Sequence, residues 1–115
     1  MTISIHTQSK FEDYNFFKKK MDELLTSYPK IEKCFYGRSQ SKEYATTYFK
    51  NSDTICENPK LSSFKIQNLY KQVENSDLSI FFFRDDVKVG SMLTSKTISR
   101  AKNLNKDFIV IEYSI

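Results

Sequence analysis

The chain has 115 residues, a formal net charge of +4, and only 2 glycines and 2 prolines. This length fits one domain, and the scarcity of Gly and Pro argues against long disordered segments. The modest positive charge favours solubility but falls short of a nucleic-acid footprint. No apolar run approaches the ~20 residues that a membrane span needs, and we expect no signal peptide before the first strand. We therefore expect a cytoplasmic protein, in the host cytoplasm if it is viral.

Apolar patterns predict strands and helices that alternate along the whole chain. Strands are predicted at residues 3–6, 31–36, 54–56, 78–83 and 108–113. Helices are predicted from about residue 13 to the Tyr28-Pro29 pair, from about residue 42 to 51, at 64–73 and at 94–104. Proline ends the first helix because it lacks an N–H and disfavours helical conformation in the residue before it.

This alternation predicts an α/β fold, a small three-layer Rossmann-like domain with a five-stranded, mainly parallel sheet and about four helices. The expected strand order is 3-2-1-4-5. The nearly continuous apolar run at 78–83 is typical of a strand that is buried on both faces, so we expect it inside the sheet. The order reverses between the first and fourth strands, and any crevice should form there.

The turns after the first two strands are the expected ligand positions, and they contain few glycines. They read Thr7-Gln8-Ser9-Lys10 and Gly37-Arg38-Ser39-Gln40-Ser41. Glycine lets backbone N–H groups approach a phosphate, whereas side chains at Thr7 and Gln40 stand in the way. Hydroxyls and cations remain near two helix N-termini, at Ser9, Lys10, Arg38, Ser39, Ser41 and Lys42. They could hold a small anion, or the hydroxyls could simply cap the helices.

The titratable residues predict neither catalysis nor metal binding. Cys34 and Cys56 each lie in a short apolar stretch, so we expect two reduced, buried thiols on neighbouring strands. His6 has no nucleophile at a recognisable spacing and is expected to be a partly buried structural histidine. Asp85 and Asp86 are expected to be solvated loop charges. No catalytic residue, metal or cofactor is predicted.

Several scaffold positions match a known pattern. They are Phe11, Asp13 and Tyr14 after the first strand, Ala45 and Tyr48 in the second helix, and the Ser76-Asp77 pair before the fourth strand. Through these positions the chain resembles the SLOG superfamily, the Rossmann-like group that includes the DprA and Lonely Guy proteins. It is most similar to the small single-domain YspA-like members. The resemblance covers nearly the whole chain and implies the same fold for residues 1–115.

The same resemblance implies a degenerate ligand site. The family's first turn has Gly-Ser-Arg where this chain has Thr7-Gln8-Ser9-Lys10. Its second turn, Gly-Gly-Ala-Arg-Gly-Ala-Asp, retains only Gly37 here and has Lys42 in place of the acid. A later Gly-Thr pair is matched in part by Leu93-Thr94, which adds Thr94 to the candidate ligand residues.

The leading functional hypothesis is a non-catalytic SLOG-like binding protein, a phage or mobile-element accessory factor that modulates a host protein. Candidate partner-binding residues are Arg38, Lys42, Arg84, Asp85, Asp86 and Lys88. They lie at the carboxyl edge of the predicted sheet and in the charged loop 84–91, for which the sequence suggests no folding role.

Two alternatives stay open. One is a sensor or sequestering protein for a nucleotide-derived ligand. The other is weak single-strand nucleic-acid binding, since Lys88, Lys96, Arg100, Lys102 and Lys106 make the carboxyl-terminal part basic although no nucleic-acid motif is present. A homo-oligomer also stays open, and no membrane partner is expected.

Overall fold

The structure is a computed structural model that describes residues 1–37, 39–84, 86 and 91–114, with the backbone alone at 39, 40 and 91. The strands are β1 (Thr2–Thr7), β2 (Lys33–Tyr36), β3 (Ile55–Glu57), β4 (Leu78–Phe82) and β5 (Asp107–Ile111). The helices are α1 (Tyr14–Leu25), α2 (Ser39–Tyr48), α3 (Lys65–Glu74) and α4 (Ser91–Asn103). All four strand pairings are parallel, and the order β3-β2-β1-β4-β5 is the predicted one.

Helices cover both faces of the sheet. The larger core lies under α1 and α2, where Ile3, Ile5 and Phe82 of the sheet meet Phe17 and Met21 of α1. The smaller core lies under α3 and α4 and is built around Val73, Phe81 and Ala101. This three-layer arrangement confirms the predicted Rossmann-like class. Within the described residues, no helix is both long enough and apolar enough to cross a membrane.

Strand β4 is buried along its whole length, as its continuous apolar sequence predicted. It lies between β1 and β5, with Ser79 opposite Ser4 on one side and opposite Phe108 on the other. Because successive side chains point to opposite faces, Phe81 enters the α3–α4 core and Phe82 enters the α1–α2 core.

Several predicted element ends were wrong by two or three residues. Helix α1 ends at Leu25 rather than near Tyr28, because Ser27 and Tyr28 donate to carbonyls three residues back and tighten the last turn. Its start is as expected, with the Phe16 N–H donating to Asp13 Oδ1 at 3.0 Å. Helix α2 begins at residue 39 rather than 42, helix α4 at 91 rather than 94, and β2 at 33 rather than 31.

Candidate functional site

Strands β1 and β4 are neighbours in the sheet, although two strands and three helices separate them in sequence. The strand order reverses at this point, so ligands of open α/β folds bind beyond the carboxyl ends of these two strands. The residues that follow β1 and β4 therefore decide whether a crevice exists.

The side chain of Gln8 fills this position. It is fully buried, its Nε2 donates to the Arg84 carbonyl at 3.0 Å, and its Oε1 accepts from the Arg84 N–H at 2.9 Å. The amide thus continues the β1–β4 pairing by imitating a backbone peptide. The Tyr113 hydroxyl donates to the same Oε1 at 2.7 Å, and burial raises the pKa of that hydroxyl, which keeps it protonated. These polar groups of Gln8, Arg84 and Tyr113 are therefore bonded to one another.

An aromatic side chain closes the position from the α1–α2 side. Phe11 is buried, with its ring centroid 5.0 Å from that of Phe82 and 4.9 Å from that of Tyr113. The Phe11 N–H donates to the Gln8 carbonyl at 3.0 Å, and Tyr44 donates its hydroxyl to the Phe11 carbonyl at 2.9 Å. The turn after β1 is therefore folded into the core rather than held open around a ligand.

The predicted ligand residues occupy different environments. Ser9 and Lys10 are exposed at the tip of this turn, while Thr94 is buried in α4. Ser41 is buried, and its Oγ lies 2.8 Å from Thr7 Oγ1 and accepts from the Thr7 N–H at 3.2 Å. The hydroxyl of Ser41 thus ties α2 to the end of β1. Arg38 and the side chain of Ser39 lie outside the described residues.

Arg84 has a structural role that the sequence did not suggest. Its Nη1 donates to the Tyr113 carbonyl at 2.8 Å, and its Nε and Nη2 donate to the two carboxylate oxygens of Asp86 at 2.9 and 2.6 Å. These bonds lower the pKa of the Asp86 carboxyl from its ordinary value. Among the other predicted partner residues, Lys42 is exposed on α2, and Asp85 and Lys88 lie outside the described part of the chain.

The glycine retained in the second turn, Gly37, serves helix packing. A Cβ at this position would overlap the Leu69 Cδ2 atom and lie 3.2 Å from Gln72 Oε1. Leu69 is 2% exposed, so it has little room to move away. Gly37 therefore lets α3 pack closely against the end of β2, which is a reason for glycine that does not involve phosphate.

His6 belongs to a buried polar network beneath α3 and α4. Its Nε2 lies 2.9 Å from Ser4 Oγ, which donates to Ser79 Oγ at 2.7 Å. The imidazole stacks on Phe81 with ring centroids 4.5 Å apart. The prediction of a structural histidine agrees with this position, although His6 is fully rather than partly buried at 2% exposure.

The two cysteines lie opposite each other in the β2–β3 pair and are free thiols. The Cys34 thiol donates to the Phe35 carbonyl at 3.9 Å and the Cys56 thiol donates to the Ala45 carbonyl at 3.6 Å. The neighbouring Cys56, together with burial, raises the pKa of Cys34 well above its ordinary value. Cys56 is only half-buried, which corrects the prediction that both thiols are buried. Among the described residues, no group of three or more His, Cys, Asp or Glu side chains could hold a metal ion.

The outer surface of α3 and α4 concentrates positive charge, which sequence inspection noticed only in part. The two helices contain five cations, at Lys65, Lys71, Lys96, Arg100 and Lys102, and one anion, Glu74. Five minus one is +4, which equals the net charge of the whole chain. We call this surface, formed by the exposed side chains of α3 and α4, the basic face.

A groove runs along the basic face between the two helices. It has a volume of about 390 Å³ and is lined by Tyr70, Ser95, Lys96, Ser99, Arg100 and Asn103. Arg100 donates from Nη2 to Glu74 at 3.1 Å, and its guanidinium lies over the Tyr70 ring at 5.5 Å. Its Nε is buried and has no hydrogen-bond partner among the described residues. The groove is therefore rich in donors and suited to an anionic group.

Comparisons with known proteins give no relative. No family model, no curated protein and no solved structure matches this chain.

Proposed function

We propose that this protein is a non-catalytic SLOG-like domain that acts by binding a protein partner. The observation that carries the proposal is the position of Gln8, whose buried amide fills the strand-order switch with hydrogen bonds to Arg84 and Tyr113. A Rossmann-like domain whose ligand position is filled by its own side chains retains a rigid scaffold for recognition. The small, Lys- and Asn-rich chain supports a phage or mobile-element accessory factor that modulates a host protein.

The geometry argues against catalysis and against a nucleotide ligand at this edge. A general base needs to reach its substrate, and His6 is buried under two helices and bonded to Ser4. The hydroxyl that would meet a phosphate at the start of α2, Ser41, is bonded to Thr7. Phosphate binding would require these contacts to be broken, so a nucleotide-derived ligand is the weaker proposal.

We place the partner contact on the basic face, which adjoins the carboxyl edge because α3 and α4 both begin there. A partner with an acidic surface fits this face, since charge complementarity steers and selects association. An acidic protein is favoured over nucleic acid for two reasons. Five cations give few phosphate contacts. The ring of Tyr70, which a base would stack on, is covered by the guanidinium of Arg100.

A charge-matched pair of variants tests this assignment. Lys96→Glu with Lys102→Glu reverses two exposed cations of the basic face. Lys19→Glu with Lys50→Glu reverses two exposed cations on the α1–α2 side. Each variant has a net charge of 0, because two reversals subtract four from +4. Exposed substitutions of this kind should change the free energy of unfolding by no more than ~0.5 kcal/mol.

The probes are fluorescent poly-glutamate and single-stranded oligo-dT, followed by anisotropy at low salt. We expect poly-glutamate affinity to fall roughly tenfold, about 1.4 kcal/mol, in the basic-face variant and to change little in the control. Quantitative capture from a host lysate should lose the same partner only with the basic-face variant. Equal losses in both variants would refute a localised contact, and tighter binding of oligo-dT than of poly-glutamate would favour the nucleic-acid alternative.

A further inference from the structure

Strand β5 (Asp107–Ile111) forms one end of the sheet, and within the described residues no strand pairs with its outer edge. The opposite end, β3, has three residues, whereas β5 has five and reads Asp-Phe-Ile-Val-Ile without Pro or Gly. Natural proteins shorten, charge or interrupt exposed edges because an unblunted edge templates pairing with another chain. The β5 edge has a charge only at its first residue, Asp107, and its Val110 is 42% exposed.

The backbone of β5 offers a defined set of outward groups. The Phe83 N–H donates to the Ile111 carbonyl at 3.0 Å, so the peptide groups of Ile111 face β4. Along a strand the N–H and C=O of one residue point to one side, and the side alternates from residue to residue. The peptide groups of Phe108 and Val110 therefore point away from the sheet, whereas the N–H of the flanking Lys106 donates to the Ala101 carbonyl at 3.0 Å.

We propose that this edge pairs with the same edge of a second copy of the chain, antiparallel and centred on Ile109. In this register Phe108 lies opposite Val110 of the second copy, and Lys106 lies opposite Glu112 of the second copy. The first pair joins residues whose peptide groups point outward, which is the condition for a hydrogen-bonded antiparallel pair, and the second pair meets through its side chains alone. The two-fold axis passes between the two Ile109 residues, so the contact is isologous and closes as a dimer.

The side chains support a second copy over an unrelated strand. The opposed Lys106 and Glu112 give one attractive charge pair on each side of the axis, and aromatic–β-branched pairs such as Phe108 with Val110 stabilise neighbouring strands. A recess of about 250 Å³, lined by Phe83, Arg84, Val110 and Glu112, opens beside the edge, while Phe108 of each copy stays packed against its own Phe81. The segment is thus complementary to itself in charge.

The dimer would have a continuous ten-stranded sheet with the axis perpendicular to it. Opposed residues share a face of an antiparallel sheet, so the α3–α4 layers of both copies would lie on one side. A single strand pair buries little surface, which places the contact in the weak range, with a dissociation constant on the order of micromolar. The inference rests on β5 and not on the proposed function.

Sedimentation velocity across a concentration series tests the proposal. The wild type should shift from monomer to dimer over the micromolar range. Val110→Pro should remain monomeric, because proline removes an outward N–H and is tolerated on edge strands, while the β4–β5 ladder keeps its own bonds. Circular dichroism and thermal melting verify that this variant is folded.

A charge swap keeps the proposal testable even if Val110→Pro fails to fold. Lys106→Glu and Glu112→Lys should each weaken self-association roughly tenfold, because each places like charges opposite each other. Mixing these two variants should restore a dimer containing one copy of each, since both charge pairs then become attractive. A wild type that is monomeric at every concentration up to about 1 mM, or a mixture that fails to form the heterodimer, would overturn the proposal.

Discussion

Replacing Gln8 by Leu should destabilise the fold more than its place next to an exposed turn suggests. Leucine retains much of the volume but leaves three groups without their partner, namely the Arg84 N–H, the Arg84 carbonyl and the Tyr113 hydroxyl. An unsatisfied buried polar group costs about 1–3 kcal/mol, and the two Arg84 groups are only partly buried, so we expect a total of about 2–4 kcal/mol. Native domains have only about 5–15 kcal/mol to lose.

Urea unfolding followed by circular dichroism measures this loss, and the midpoint should fall by about 1–2 M at an ordinary m-value. Tyr113→Phe alone should cost about 1 kcal/mol, because it removes one hydrogen bond. In the Gln8→Leu background the same change should restore part of the lost stability, since it removes a buried hydroxyl that already lacks its acceptor. Lys10→Ala, at the exposed tip of the same turn, is the control and should stay within ~0.5 kcal/mol. Full additivity, or a loss below ~0.5 kcal/mol for Gln8→Leu, would refute the account of Gln8.

Three further predictions follow from individual contacts. Gly37→Ala should destabilise the fold by about 1–3 kcal/mol in urea unfolding, because its Cβ would overlap Leu69. In the double variant, Leu69→Ala should relieve part of that cost. If the two single losses simply add, the close contact is not the cause. Tyr48→Phe should raise the pKa of Asp22 towards its ordinary value, because the Tyr48 hydroxyl donates to Asp22 at 2.7 Å and is the main cause of its lowered pKa. The lowered folded-state pKa of Asp22 stabilises the fold above the unfolded-state pKa, and this stabilisation is lost as pH falls through the folded-state pKa. The stability of Tyr48→Phe should therefore fall less steeply with decreasing pH than that of the wild type. An unchanged titration of the Asp22 carboxyl by NMR would contradict this. Asn105 follows α4 with a φ of 53°, a left-handed conformation that glycine adopts without strain and alanine does not. Asn105→Ala should therefore lower the free energy of unfolding by about 1 kcal/mol, whereas Asn105→Gly should not. Equal melting temperatures for the two variants would count against the reasoning.

The sequence predicted the fold because its strongest patterns are local. The run at 78–83 and the alternation of strands with helices are sufficient for the sheet order, and β4 lies where that run indicated. The predicted element ends were less accurate. In the last turn of α1 the N–H groups donate to carbonyls three residues back instead of four, and the spacing of apolar residues does not reveal this change.

The sequence predicted where the candidate site lies, but not that a buried side chain fills it. The strand order located it between β1 and β4, and the scarcity of glycine in the two turns argued against a phosphate-binding site there. A polar Gln8 next to a turn gave no sign of burial, because its partners Arg84 and Tyr113 are far along the chain and meet it only in the folded sheet. The basic face was recognised only in part for a related reason, since its cations are divided between two helices that pack together only in three dimensions.

The central claim is that the strand-order switch is filled by the chain itself and therefore takes no nucleotide. Calorimetric titration of the wild type with adenine and guanine nucleotides tests it most directly. We predict no saturable heat up to about 1 mM, a concentration that would detect binding as weak as about −4 kcal/mol. Stoichiometric binding in the micromolar range that is lost in both Ser41→Ala and Lys10→Ala would contradict the claim and show that the position opens for a ligand.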